Sequence, residues 1–236
     1  MLSIVISSYN QAEYLPDAIE SALIQNKIQP VEVIVVDDGS MDNSLNIARG
    51  YLSFDVPLKV ISQVNKGLAS ARNTGIMNAK GDWILPLDAD DILKDNYVKR
   101  ILDELVFLES VQYREVVPDI IAPSFKCFGI GNEEIILMPN PTLEDFRTGN
   151  RIGYCSAIRK SVLLECGGYD PAMIWGYEDM MLWCDLLSRG KKIATIPEVL
   201  WLYRTKPESM WTKAKEHHQE LLNIINKKVS EAKLNF

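Results

Sequence analysis

Three carboxylates crowd the end of the segment GDWILPLDADD. Asp88, Asp90 and Asp91 follow directly on the uncharged run Trp83–Leu87. Acids this close repel one another, and Lys94, Lys99 and Arg100 are too far along the chain to neutralise all three. Oxygen ligands suit a hard divalent ion, and Mg²⁺ commonly takes one or two carboxylates and completes its shell with phosphate oxygens and water. Such an ion would relieve the repulsion and carry a diphosphate that an acidic protein otherwise repels. The structural alternative is that Asp is common in turns, with Asp91 or Asp95 capping the next helix. A second acidic group, Asp37-Asp38-Gly39-Ser40, closes the run Val31–Val36, and by itself it reads as a tight turn relaxed by Gly39. A third, Glu178-Asp179, opens a helical pattern and complements the positive end of that helix.

Elements ending at these acids must position them. Leu2–Ser7 is a short β-branched run, and Val31–Val36 is apolar but for Glu32, as in a strand covered on both faces. Leu58–Ile61 and Asp82–Leu87 read as further strands. Between them lie helical patterns. One opens at Pro16, where the missing N–H costs nothing, and carries Ala18, Ile19, Ala22 and Leu23 on its apolar face. Another runs through Leu45, Ile47 and Ala48 behind a cap from Ser40 or Asp42, and a third spans Gly67–Ala79. This alternation predicts right-handed βαβ units and a mainly parallel sheet. Ligands of such sheets bind outside the carboxyl ends of the strands, where Asp37-Asp38 and the Asp88–Asp91 group both fall.

Beyond about Asp95 the pattern changes. A helix through Ile101, Leu102, Leu105 and Leu108 leads to Ile120–Phe128, a turn at Gly129–Asn132 and Glu133–Met138, which predicts a hairpin. A strand at Tyr154–Ile158, a helix after Lys160, a Gly167-Gly168 loop and a helix from about Tyr177 to Ser188 follow. Lys192–Ile196 and Val199–Tyr203 read as two short strands around Pro197, and the tail from Met210 as a helix with Leu221, Leu222, Ile224 and Ile225 on one stripe. No internal repeat or low-complexity linker interrupts the chain, so its halves are expected to share one continuous fold.

The 236 residues, 47% hydrophobic and 24% charged, suffice for one large domain or two small ones sharing a core. A net charge of −7 disfavours nucleic acid and anionic membrane as main partners, because phosphate backbones and headgroups call for clustered Lys and Arg. Cys127, Cys155, Cys166 and Cys184 are widely spaced without a CxxC pair, which argues against zinc or a disulfide framework and for a reducing cytoplasm. The start MLSIVISSYN lacks the basic opening of a signal peptide, and no apolar run approaches membrane-spanning length. A cytoplasmic protein is expected, one that could still dock at the inner face of the cell membrane.

Five segments occur in order: SSYNQAEYLPDAIESALIQ, VEVIVVDDGSMDNS, QVNKGLASARNTG, GDWILPLDADD and GGYDPAMIWGYEDMMLWCDLLSRG, with YRTKPES after them. Together they resemble the family-2 glycosyltransferases, inverting enzymes of the GT-A fold that transfer a sugar from a nucleotide-sugar. The resemblance runs from about Leu2 to Ser209. It implies an α/β, Rossmann-like GT-A fold: a mainly parallel central sheet flanked by helices, with a smaller acceptor-side region towards the C-terminus. Residues 1–95 would be the nucleotide-sugar-binding half, 96–209 the acceptor-binding and catalytic half of the same domain, and 210–236 a helical tail.

The resemblance also implies roles. Ser7, Tyr9 and Asp38 match positions that hold the nucleoside; Tyr9 offers a flat face to a base, and Asp38 an acceptor for uracil N3–H, a donor that cytosine lacks. Asp37 would support the loop, and Asn65 and Gly67 would shape it against the nucleotide. Arg72 matches an arginine near the nucleotide, its planar charge suited to a diphosphate or a base-loop carboxylate; the structural alternative is a solvated or acid-paired helix residue. Asp88 falls on the ribose or sugar side, Asp90 on the metal, and Asp91 braces the loop. Mn²⁺ or Mg²⁺ would bridge the phosphates and act as a Lewis acid for the departing diphosphate. Of the pair Glu178-Asp179, Asp179 would take the proton of the acceptor hydroxyl, and Glu178 would orient the acceptor or the helix. Trp175 is the aromatic residue placed to touch a donor or acceptor sugar. The implied reaction is a single in-line displacement with inversion. The resemblance implies a UDP-sugar as donor and a glycan or lipid-linked hydroxyl as acceptor, with hexosyl or N-acetylhexosaminyl transfer. Acceptor recognition is expected between Gln112 and Arg151.

Two departures mark the match. Ser7 stands where many relatives have Pro, a small polar variant. Relatives often carry His two residues after the Tyr-Arg pair, whereas here Tyr203-Arg204 is followed by Thr205 and Lys206. A protonated Lys cannot ligate a metal but can contact phosphate, so full metal dependence does not follow. His217 and His218, the only histidines, lie in the tail and are expected to be solvated. The tail also carries Lys213, Lys215, Lys227, Lys228 and Lys233. Glu216, Glu220 and Glu231 dilute that charge, so packing against the protein itself or a second subunit is expected ahead of a membrane surface. Two other functions compete with this one. A sugar nucleotidyltransferase would need a Gly-rich, Arg/Lys-bearing loop after the first strand, and SSYNQAEYL has no Gly. A nucleotide-binding module that has lost turnover is opposed by Asp90 and Asp179 and favoured by Lys206; release of free UDP from a donor separates it from an enzyme.

Overall fold

The computed structural model describes residues 1–53, 56–110, 117–208 and 214–233. Its first half is a run of strand–helix units: β1 (Leu2–Ser8), α1 (Leu15–Ile24), β2 (Val31–Asp37), α2 (Ser44–Gly50), β3 (Leu58–Ser62), α3 (Leu68–Asn78) and β4 (Trp83–Asp88). The second half adds β5 (Ile92–Leu93), α4 (Tyr97–Ser110), β6 (Ile120–Gly129), β7 (Glu134–Ile135), β8 (Ala157–Arg159), α5 (Lys160–Cys166), α6 (Glu178–Ser188), β9 (Ile193–Thr205) and α7 (His218–Lys233). The strands form one mixed sheet of order β3-β2-β1-β4-β8-β6-β9-β5, with β7 paired to β6.

β1 pairs in parallel with β2 and β4, and β2 with β3. The register sets Ser8 beside Asp37 and Ser7 beside Asp88, so the strand ends carrying the acids lie side by side. The chain fills β1, β2 and β3 outward and then returns to place β4 on the far side of β1, which opens a crevice at that reversal. The largely apolar strands are explained by their two covered faces. Val5, Ile34, Val36 and Ile84 belong to one buried cluster, with α3, α5 and α6. Ile4, Ile6, Val33, Val35 and Leu85 belong to the other, with α1 and α4. Helix α3 lies so close to β1 that a Cβ at Gly75 would meet Val5 Cγ1 at 2.1 Å.

The second half departs from expectation in four places. The two strands expected around Pro197 are one strand, β9: Ile196 pairs with Pro123 and Val199 with Ser124, and Pro197-Glu198 bulge out between them. A bulge accommodates a residue that has no N–H for the ladder. β8 starts at Ala157 rather than Tyr154, because Ser156 N–H donates back to the Tyr154 carbonyl at 2.9 Å. β7 keeps only Glu134 and Ile135 of the expected hairpin strand. β5 was not foreseen, since two residues show no periodicity, yet it pairs Ile92 with Leu202 and Leu93 with Trp201. That pairing fastens the acidic loop after β4 to the last strand.

Of the tail, residues 210–213 and 234–236 lie outside the described residues, as do 112–116 of the expected acceptor region. Helix α7 packs on α6: Leu221 and Ile225 are buried, and Lys228 pairs with Asp185 at 2.7 Å. Ile224, expected on the apolar stripe, is 43% exposed. Among the described residues no helix is long and apolar enough to cross a membrane.

Candidate active site

A cleft of about 840 Å³ opens over the carboxyl ends of β1, β2 and β4, and the residues given roles in the sequence, from Ser7 to Lys206, line it, except Asp37 and Asp91. On the base side Tyr9 is 43% exposed, and the buried hydroxyl oxygens of Ser7 and Ser8 have no hydrogen-bond partner. Asp38 is buried and already accepts from Gln63 Nε2 at 2.7 Å, Lys66 N–H at 3.0 Å and Gly67 N–H at 2.8 Å. It therefore ties the β2 loop to the loop before α3. Asp37 accepts more distantly from Ser40 N–H and Ser62 Oγ, each at 3.4 Å. Gly39 has φ +73°, and a Cβ there would meet Asn65 N at 2.8 Å, so only glycine lets the two loops close on each other.

The centre of the site is Arg72 on α3. Its side chain is 1% exposed and forks between Asp88 Oδ1 at 2.8 Å and Glu178 Oε1 at 2.5 Å. Tyr154 and Tyr169 stack their rings 4.9 and 5.1 Å from the guanidinium carbon. Despite the cost of burial, Asp88 and Glu178 hold the guanidinium more firmly protonated than usual. Arg72, expected beside the nucleotide, is thus the clamp joining the end of β4 to the start of α6. The loop before α6 is docked the same way: Asn73 Nδ2 donates to the Tyr169 carbonyl at 2.7 Å, and Tyr169 N–H donates to Asn73 Oδ1 at 2.8 Å.

Burial raises the Asp88 carboxyl to about 6; Arg72 opposes the shift and Asp90 adds to it. Asp91 does not face the cleft. It is fully buried, accepts from Tyr154 Oη and from Arg204 N–H, and burial beside Asp90 and Asp88 pushes it well up. It caps no helix. Asp90 forms an ion pair with Lys206, Nζ to Oδ2 at 2.6 Å. This donor set does not fit a resident divalent ion. Asp88 faces the cleft but is committed to Arg72, Asp91 is sequestered, and Asp90 faces the cleft already neutralised by an ammonium. Among the described residues no group of three or more His, Cys, Asp or Glu side chains could hold a metal.

Asp179 stands in the first turn of α6. One carboxylate oxygen accepts Met180 N–H and the other Asn150 Nδ2, both at 2.7 Å. The preceding Tyr177 holds φ +63°, a left-handed conformation unusual for a side-chain-bearing residue, and this backbone turn sets where α6 begins. Burial, and then the neighbouring Glu178, raise the Asp179 carboxyl to about 7, against the lowering effect of Arg72 and the two hydrogen bonds. A base near neutrality is both available and strong enough to accept a proton. The sign is fixed: Asp179 can accept only when ionised. Turnover is therefore expected to fall about tenfold per pH unit below 7 and to level off above it. A kcat/KM profile that stays flat from pH 5.5 to about 8 would rule Asp179 out as the base.

Several contributors carried no signal in the sequence. Asn150 lies in an irregular loop, and Gln11, whose Oε1 is 3.3 Å from Lys206 Nζ, sits in a turn. Tyr154 and Tyr169 read as ordinary core. His217, expected to be solvated, stacks on Trp175 with ring centroids 4.4 Å apart, and His218 Nδ1 lies 2.6 Å from Tyr177 Oη. The tail thus touches the aromatic wall of the cleft.

Residues 3–167 match the sequence profile of glycosyl transferase family 2. The succinoglycan biosynthesis protein ExoO of Rhizobium meliloti is 30% identical over 219 residues, 89% of this chain and 62% of that protein. Among solved structures, S. aureus TarS 1–349 in complex with UDP-GlcNAc aligns with TM-score 0.71 and 20% identity, covering 89% of this chain and 60% of that one. The mannosyltransferase PcManGT of Pyrobaculum calidifontis, in complex with GDP-Man and Mn²⁺, aligns with TM-score 0.67 and 16% identity, covering 92% and 61%. These two likenesses concern the fold. The chain spans only about a third of the length of the first two curated relatives it matches, 35% and 30%.

Proposed function

The chain belongs to glycosyl transferase family 2 with a GT-A fold, and from that premise we propose that it transfers a sugar from a nucleotide-sugar, a UDP-sugar by preference, to a hydroxyl of a glycan or lipid-linked acceptor. The observation that carries this reading is Asp179. It is a carboxylate raised to about 7, hydrogen-bonded by Asn150, in the same cleft as the Tyr9, Asp38 and Asp90 loops.

In the proposed step the acceptor oxygen forms a bond to the anomeric carbon as the bond from that carbon to the diphosphate oxygen breaks. The proton of the acceptor hydroxyl passes to Asp179, and the electron pair of the broken bond leaves on the nucleoside diphosphate. One displacement inverts the anomeric centre. Glu178 acts by holding Arg72 and so the first turn of α6. Tyr9 and the Asp38 loop take the nucleoside, and Trp175, 45% exposed at the cleft wall, offers a face to a sugar. The leaving diphosphate needs positive charge. The family expectation supplies it as Mn²⁺ or Mg²⁺ on Asp90, and the Asp90–Lys206 pair favours a different source in this chain. Residues 1–95 are assigned to the donor and 96–209 to the acceptor and base, with a cytoplasmic setting and glycan assembly as the context. Contact with a membrane surface or a second subunit belongs to the same proposal for the tail.

The test is a melting comparison with UDP, GDP, CMP and ATP, each with Mn²⁺ and with EDTA, followed by donor hydrolysis. UDP at a hundredfold excess over its dissociation constant is expected to add about 2.7 kcal/mol of stability. That corresponds to a rise of roughly 5–10 °C for a chain of this size. Free UDP should then appear from a matching UDP-sugar. A shift with GDP alone changes the donor and keeps the reaction class. Binding without any sugar release points to the module that has lost turnover, and no binding by any nucleotide in either condition, checked by calorimetry, removes the proposal.

A further inference from the structure

We propose that Lys206 is the built-in cation for the donor diphosphate: its ammonium, held at the end of β4 by Asp90, binds the phosphates and stabilises the leaving nucleoside diphosphate, so that this chain binds its nucleotide without a divalent ion. The inference rests on the transferase reading and sharpens it.

The fold constructs the position of this ammonium. β5 pairs with β9 through Ile92–Leu202 and Leu93–Trp201, which brings the last strand against the acidic loop. Arg204 then locks the register, because its N–H donates to Asp91 Oδ1 at 2.6 Å and its Nε to the Asp90 carbonyl at 2.8 Å. The Arg204 guanidinium is gripped by the rings of Tyr14 and Phe128, 4.6 and 4.4 Å away, and pairs with Asp17 at 3.1 Å. Lys206 follows two residues later with little freedom. Its ammonium lies 2.6 Å from Asp90, 3.3 Å from Gln11 Oε1 and 4.7 Å from the Tyr14 ring centre, and its side chain is only 19% exposed.

The alternatives for carrying a diphosphate are already engaged. Among the described residues, four cationic side chains line the cleft. Arg72 is committed to Asp88 and Glu178, Arg204 to Asp17 and the Asp90 carbonyl, and Arg151 to the Asp145 carbonyl and Thr148. Lys206 has three N–H donors and a single carboxylate partner, so it can add a charge-assisted hydrogen bond to a phosphate oxygen. A divalent ion at Asp90 would have to displace this ammonium or sit beside a like charge. During transfer Lys206 keeps its proton; the electron pair of the cleaved bond rests on the phosphate oxygen that the ammonium faces.

The experiment is calorimetric titration of UDP and GDP into the wild type, Lys206→Met and Lys206→His, each in EDTA and in Mn²⁺, with ligand-free melting to confirm folding. The wild type is expected to bind in EDTA, with Mn²⁺ changing affinity by less than about threefold. Lys206→Met should lose about 10- to 100-fold in EDTA, the worth of a hydrogen bond to a charged group. Lys206→His, uncharged at pH 8, should lose as much in EDTA and regain affinity in Mn²⁺, because imidazole can ligate the ion beside Asp90. It also serves if the Met variant does not fold. Wild type that binds only with Mn²⁺, or a folded variant that binds in EDTA as the wild type does, overturns the role of Lys206 and leaves the transferase reading standing. Failure of both nucleotides in both buffers removes that reading, and the role of the lysine with it.

Discussion

Asp179→Asn is expected to lower transfer by about 100- to 10,000-fold, the usual contribution of a positioned general base. Nucleotide affinity should stay close to that of the wild type. Asparagine has nearly the same shape and can still accept Met180 N–H at Oδ1, so the first turn of α6 should form as before. What it cannot do is take a proton. Its amide nitrogen would also face Asn150 Nδ2, two donors where the wild type has a donor and an acceptor, so Asn150 is expected to turn away. The measurement is kcat for sugar transfer beside a calorimetric titration of UDP. Wild-type-like transfer would remove Asp179 from its role. A joint loss of transfer and nucleotide binding would instead assign it to folding of the cleft.

Arg72→Met is expected to cost about 3–5 kcal/mol of stability, because it leaves Asp88 and Glu178 in a buried site without their shared cation. For a chain of this size that is a fall in melting temperature of roughly 6–20 °C. Arg72→Lys should recover little, since one ammonium cannot reproduce a fork to two carboxylates. The cost comes from the uncompensated acids rather than from a lost net attraction, so the triple change Arg72→Met, Asp88→Asn, Glu178→Gln should melt well above the single variant. Denaturant or thermal unfolding of the three proteins decides this. An Arg72→Met protein that melts within about 2 °C of the wild type would mean that the clamp does not join the two halves. A triple variant no more stable than the single one would place the cost in lost packing around Tyr154 and Tyr169 instead.

The two results bear on different parts of one cleft. Asp179 tests the proposed chemistry, and Arg72 the rigidity with which α6 is presented to it. Both side chains stand out in the sequence, and for Arg72 contact with a nucleotide stands there beside the plainer possibility of a helix residue paired to an acid. Its two acid partners lie in separate motifs, Asp88 after β4 and Glu178 at the head of α6, and nothing local announces that they share one guanidinium.

By itself the sequence determined the parallel half of the sheet and the face on which the acids gather. Residues Leu2–Ser7, Val31–Val36 and Trp83–Leu87 are mostly apolar, interrupted only by Ser3, Ser7 and Glu32, which calls for cover on both faces. The helices between them supply that cover, and short right-handed crossovers put the acids at the same ends of adjacent strands. These are local properties, readable within a window of about ten to eighteen residues. The identity of the charge that answers Asp88, Asp90 and Asp91 is not local. Tertiary structure decided that Asp88 meets Arg72, that Asp91 is sealed beneath Tyr154 and Arg204, and that Asp90 meets Lys206. Those partners come from α3, the Tyr154 turn and the end of β9. They converge because the two-residue strand β5 pairs with β9, and because a bulge at Pro197 carries β9 past β6 in the register that delivers Lys206. Such register is set by packing of the whole sheet, and a two-residue strand has too little pattern to reveal it beforehand.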